Sequence, residues 1–231
     1  MRKFYTDVAV AGSSEGFAVT LDGKLVKTPV KNPLVMPTDA LAQIVAEEWR
    51  AQDENIIPNS MPMTTLVNTT VDRVAPRRVE IIEEMVAYGH TDLVCYRADE
   101  PDELVALQQK TWDPYLAWLK SELSVDLSVA TGVLPLAQSD DGIDRLTAEI
   151  SPFNDFALTA FHAFVGGFGS IVLALAVVRN FAAFDDCWQA SILDQSFQES
   201  LWGTDPEVLD NRARQKAELL NSLDLWNLSQ A

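Results

Sequence analysis

The residues of this chain that can do chemistry are few, and each falls short of a catalytic set. Gly12-Ser13-Ser14-Glu15-Gly16 has the G-x-S-x-G spacing of a nucleophile elbow, which needs a strand before the serine and a helix after it. Here Phe17-Ala18-Val19-Thr20-Leu21 follows, and that run reads as a strand, so the pentapeptide is a turn. Only His90 and His162 are present, and neither has a cysteine or carboxylate at metal-ligand spacing, which leaves no histidine triad and no metal site. In His90-Thr91-Asp92-Leu93-Val94-Cys95 an acid and a thiol lie close together, but Leu93, Val94 and Cys95 read as buried packing beside a capping Asp92. Gly166-Gly167-Phe168-Gly169 lacks the Lys-Ser/Thr that completes a phosphate loop. Acids are abundant, yet no spacing selects a pair for a carboxylate-based hydrolase. The expectation is a protein without catalysis, cofactor or metal.

Charge says more than motif. To residue 80 the chain carries nine Lys/Arg against ten Asp/Glu; the remainder carries eight against twenty-four, so the net charge of −17 divides as −1 and −16. A surface of that sign repels phosphate backbones and anionic headgroups, so nucleic acid and membrane surfaces are excluded as partners. Six Trp, ten Phe and 48% hydrophobic residues supply enough apolar surface for a core. Cys95 and Cys187 are the only cysteines, and Met1-Arg2-Lys3 runs into Phe4-Tyr5-Thr6-Asp7 without the apolar stretch of a secretory signal, which fits a reducing, cytoplasmic compartment.

The elements that must position any site change character along the chain. Strand-like runs end at Val10 and Leu21, Asp22-Gly23 gives a hairpin turn, and Lys24-Leu25-Val26-Lys27-Thr28 alternates before Pro29. Pro33 and Pro37 keep the next segment extended, and Thr38 caps a helix whose apolar face is Leu41, Ile44, Val45 and Trp49, with Glu47, Glu48 and Arg50 in solvent. Residues 55–63 form a connector. Helical periodicity then takes over, with helices at 103–122, 140–150, 155–180, 183–201 and 205–228, separated by Pro135, Pro152, Asn180 and the Gly203-Thr204-Asp205-Pro206 turn. The fold class is α+β, a β-rich N-terminal domain with one helix over residues 1–70 and a helical domain over 71–231, the boundary falling within 64–80.

Two features of the helical part invite a function. Phe156 to Val178 is twenty-three residues without a charge, long enough for a membrane-anchored scaffold. His162, Thr159, Ser170 and the glycine run instead break it into core helices or admit a close helix neighbour, so no stable membrane insertion is expected. Acids gather at Asp185, Asp186, Asp194, Glu199, Asp205, Glu207 and Asp210. On a helix over 183–201, Asp194 follows Cys187 by seven residues and precedes Phe197 by three, at the border of the apolar stripe, where it can meet a partner.

Several stretches together resemble one family: Leu21-Asp22-Gly23-Lys24 with Thr28-Pro29, Ala46-Glu47-Glu48-Trp49, Met61-Pro62-Met63-Thr64, Asn68-Thr69-Thr70-Val71-Asp72, Thr91 to Arg97, Gln108 with Trp112-Asp113-Pro114, Gly169 to Ala176, and Phe197-Gln198 with Trp202-Gly203. In that order they resemble the assembly chaperones for the alpha subunit of the F-type ATP synthase catalytic head. The resemblance implies an ATP-independent holdase that shields an unassembled alpha subunit until the beta subunit replaces it. It implies a cytoplasmic location in a bacterium and the mitochondrial matrix for eukaryotic relatives. The family is similar in placing acids before a Tyr/Phe-Gln pair; here the segment reads Leu193-Asp194-Gln195-Ser196-Phe197-Gln198, so Asp194 alone keeps the charge, and Ser200 stands where a Glu is common. The client-binding residues so implied are Asp194, Phe197, Gln198, Glu199 and Trp202, acting in a monomer.

Overall fold

In the computed structural model, residues 1–132 and 136–230 are described. Asp22 and Gly23 take φ values of 48° and 76°, the doubly left-handed pair of a hairpin turn that matches strand twist. Strand β1 (Val8–Ser13) pairs antiparallel with β2 (Gly16–Leu21), from Val8 opposite Leu21 to Ser13 opposite Gly16. Beyond the Asp22-Gly23 turn, β3 is only Lys24–Leu25, shorter than the alternation to Thr28 predicts, because β4 (Val35–Met36) takes the same edge of β2. Glycine is required at position 16: φ is +136°, and a Cβ there would stand 2.4 Å from the Met36 carbonyl oxygen.

Helix α1 (Asp39–Arg50) starts where Thr38 Oγ1 accepts from the Leu41 N–H at 3.2 Å. Its buried face is Leu41, Ala42, Val45 and Ala46. Two expectations are corrected here. Ile44 is 42% exposed, because the two alanines, not a larger side chain, let the helix lie close on the sheet. Glu48 does not face solvent freely: its carboxylate accepts from the Met63 and Thr64 N–H groups, both at 2.7 Å, and from Thr64 Oγ1 at 2.6 Å. Helix α2 (Pro62–Thr69) has no side-chain cap of its own, so a carboxylate from another helix satisfies its free N–H groups and its positive end. A π turn over Thr70–Val74 continues it.

The rest is mainly helical: α3 (Arg78–Ala87), α4 (Asp102–Leu123), α5 (Asp140–Ile150), α6 (Asp155–Phe168), α7 (Ile171–Val178), α8 (Phe184–Ser191), α9 (Leu193–Trp202) and α10 (Pro206–Ser229). Strands β5 (Tyr96–Arg97) and β6 (Ala130–Thr131) add a short parallel ladder that the sequence did not signal. The architecture is α+β, strand-rich first and helical after. Pro135, read as a helix separator, lies outside the described residues.

Packing groups the chain into two units that are not colinear with it. An N-terminal unit comprises Met1–Arg78, Phe153–Ala160 and the chain from Leu220; a helical unit comprises Val79–Pro152 and Phe161–Leu219. In the first, Val19, Leu34, Met36, Leu41, Val45 and Val67 share a core with Ala160 of α6 and Leu225 of α10. In the second, all eight residues of α7 are buried.

The helices read at 155–180 and 183–201 are each two helices. Gly169, at φ +67°, ends α6, and Ser170 caps α7 by accepting from the Leu173 N–H at 3.0 Å. At Ile192 the backbone turns out of helical geometry (φ −106°, ψ 15°), so α9 begins anew at Leu193 and Asp194 sits in its first turn. Among the described residues no helix is long and apolar enough to cross a membrane.

Asp92 ties this unit together. Fully buried, it accepts from Ser170 Oγ at 2.6 Å, the Val94 N–H at 3.1 Å and the Val172 N–H at 3.2 Å. Burial pushes its carboxyl up from 3.8 to about 6, against the opposing pull of those donors. The native state therefore holds this proton more tightly than the unfolded chain, and the associated stability is present below about 4 and lost as pH rises through 6. Urea titrations of Asp92→Asn, which cannot titrate, should show a deficit against the parent that widens by up to about 3 kcal/mol between pH 7 and pH 4. Gly16→Ala should lower unfolding free energy by about 1–3 kcal/mol in the same assay.

Candidate functional site

Three helices of the helical unit build the surface on which the sequence places function. Helix α4 offers a stripe of Leu104, Gln108, Trp112, Tyr115 and Leu119, all buried, and its one polar member is informative. The Gln108 side chain donates from Nε2 to Asp194 Oδ1 at 2.8 Å, while its Oε1 accepts from the Ala98 N–H at 2.8 Å. Trp112 Nε1 donates to the Ala190 carbonyl at 2.9 Å and fixes the end of α8. Asp194 is thus half-buried and held from behind, with one oxygen engaged.

A cleft of about 500 Å³ lies between α4, α8 and α9. Leu107, Tyr115, Leu193 and Phe197 give its apolar surface, with Thr111, Gln189, Ser196 and Ser200 among its polar lining. Burial raises the Tyr115 phenol and pushes the Cys187 thiol up to about 12, so neither ionises near neutrality. The cleft can take an apolar side chain, with a single carboxylate, Asp186, in its lining.

The five residues singled out by sequence fall into different settings. Phe197 lines the cleft, Asp194 stands behind it on Gln108, and Gln198 is exposed. Glu199 is committed to a two-pronged ion pair with Arg212, one arm at 2.9 Å, and that guanidinium holds its carboxyl below the usual range. Trp202, 83% exposed, is the last residue of α9 before Gly203 turns the chain at φ +83°. Asp205 then caps α10, accepting from the Glu207 N–H at 2.8 Å. Pro206 occupies the first turn, as its fixed φ favours.

Sequence reasoning gave no role to Leu201, Val208 and Leu209, exposed by 58%, 44% and 50%. With Trp202 they make a run over residues 201–209 in which large apolar side chains stand in solvent beside exposed Asp205 and Glu207. The available signal was an apolar pair, Leu201-Trp202, set directly against a helix-ending glycine. Gln108 was also legible, as the one polar residue in an apolar stripe. Among the described residues no group of three or more His, Cys, Asp or Glu could hold a metal ion.

The family described as ATP12 chaperone protein matches residues 2–120. The whole chain is similar to solved structures. One is an aspartate-to-lysine mutant of Atp12p from P. denitrificans, 38% identical, with a TM-score of 0.96 over 99% of this chain and 98% of that one. A second, Atp12 from Paracoccus denitrificans, is 38% identical with a TM-score of 0.95 over the same shares. A third, described as a candidate chaperone from Agrobacterium tumefaciens, is 34% identical with a TM-score of 0.93 over 99% and 86%. The class is that of a chaperone and not of an enzyme. The chain belongs to the ATP12 chaperone family.

Gln108→Ala removes the donor to Asp194 and strands the Ala98 N–H. It should cost about 1–3 kcal/mol in chemical denaturation, as for other buried donors left unpaired.

Proposed function

We propose that this chaperone serves ATP synthase assembly, binding the unassembled alpha subunit of the F-type catalytic head and preventing its aggregation until the beta subunit takes its place. The observation that carries the reading is the exposed apolar run at the end of α9, where Trp202 stands 83% in solvent with Leu201 beside it. A large aromatic held out on a helix end has little to do in an isolated molecule, whereas it is the residue type that dominates binding energy at protein interfaces.

Asp194, Phe197, Gln198, Glu199 and Trp202 are its contact residues. Burial of Phe197 and Trp202 supplies affinity, and the acids around them supply steering and register. Holding a client in this way needs no nucleotide and no turnover. The chaperone acts as a monomer in the cytoplasm, and this surface belongs to the helical unit of Val79–Pro152 and Phe161–Leu219.

Light scattering of purified, aggregation-prone alpha subunit tests the reading. Excess chain, without nucleotide, should suppress the scattering; unchanged scattering would sink the proposal. Asp194→Lys should weaken protection. Because Asp194 also receives the Gln108 bond, Trp202→Ser is the cleaner variant, removing a side chain the fold does not pack. It should weaken client binding at least about tenfold while leaving circular dichroism and melting unchanged.

A further inference from the structure

The N-terminal unit carries a second cleft, of about 610 Å³, that plays no part in the reading above. Its apolar lining includes Ile56 and Met61, both buried, and Val30, which is 64% exposed. The threonine hydroxyls around it are used inside the fold: Thr64 Oγ1 donates to Glu48, Thr65 Oγ1 to the Met61 carbonyl, and Thr69 Oγ1 to the Thr65 carbonyl. Two other polar atoms of the lining residues are not used. Trp49 Nε1 and Asn68 Oδ1 are buried, and neither has a hydrogen-bond partner among the described residues.

One of these atoms is a donor and the other an acceptor. A buried polar atom without a partner costs the fold its desolvation penalty, and such atoms are rare enough to require an explanation. Two of opposite kind on one cleft select a ligand that brings an acceptor and a donor together with apolar bulk. The backbone of an extended polypeptide has this composition, a C=O and an N–H on each residue beside a side chain. Asp72 and Arg73 at the cleft are of opposite sign, and Asp72 is already engaged by Asn32 Nδ2 at 2.9 Å, so the lining does not favour a charged ligand.

We propose that this cleft is a second client-docking site, which takes one apolar residue of an extended client segment. Its C=O accepts from the Trp49 indole N–H, and its N–H donates to Asn68 Oδ1. Both protein atoms are buried, so seating the segment involves side-chain adjustment of the scale common on binding. The proposal rests on the chain being a chaperone that holds another polypeptide, and is independent of which client that is.

Nitrogen-proton correlation spectra of the full chain test it, with N-acetyl-leucine N-methylamide as the probe. The Trp49 indole cross-peak, identified by its loss in Trp49→Phe, should move saturably as the probe is raised into the millimolar range. Asn68→Leu should weaken that binding about tenfold. Val30→Glu, at an exposed position on the cleft, should weaken it as well and guards against a folding defect at Asn68. A stationary Trp49 peak would overturn the proposal, as would movement that both variants leave unchanged. A Trp49 peak that instead shifts with protein concentration, before any probe is added, would assign the cleft to a second copy of the chain and overturn it too. Because the probe is a blocked amino acid, failure here leaves the alpha-subunit reading standing, and failure of the scattering assay leaves this one.

Discussion

Burying a carboxylate is costly unless donors meet it, and Asp92 shows how the helical unit uses that constraint. The acid is reached by one donor from its own turn, one hydroxyl from Ser170 and one N–H from the first turn of α7. Those bonds fix where an eight-residue, wholly apolar helix begins. Apolar burial by itself is non-directional and would tolerate α7 at many rotations. The polar anchor removes that freedom. Helices α4 and α8 then have a fixed partner to pack on, and α9 is set on α4 through Gln108. The surface that bears Asp194 and Phe197 is therefore oriented, through one chain of contacts, by a buried acid that never reaches solvent.

The same logic separates what was legible in sequence from what was not. Local chemistry was legible: Asp22-Gly23 as a hairpin, Thr38 as a cap, Asp205-Pro206 as a helix start, Asp92 as a capping acid with buried neighbours. Each depends on residues within a few positions of one another. Helix interruptions were harder. Ile192 carries no breaker signature, and periodicity runs through it because α8 and α9 both keep an apolar face. Position within an amphipathic stripe also misled at Ile44 and Glu48. Alanines can bury where a helix lies close, and a glutamate can leave solvent when an uncapped helix start lies within its reach.

Of the candidate surface, the residue types were readable and their commitments were not. Glu199 looks like one more solvated acid until Arg212 is seen across from it. Asp194 looks like a border carboxylate until Gln108 is found beneath it. Ion pairs and hydrogen bonds made thirteen or eighty-six positions apart leave no local trace in sequence. Solvent-standing residues such as Trp202 leave the opposite trace, an apolar side chain where the helix face gives it nothing to cover.

Leu225 and Ala160 complete a core whose other members come from the first 67 residues. During synthesis, domains generally fold as the chain emerges, at 5–20 residues per second. The strands and α1 of this unit must instead wait for Leu225, made more than a hundred and fifty positions later, roughly 8–30 s at those rates. Until then β2 and α1 hold an apolar face with part of its cover still inside the ribosome. A member of a chaperone family thus spends its own first seconds with an incomplete apolar core, and that part of it matures only once the chain has been made past Leu225.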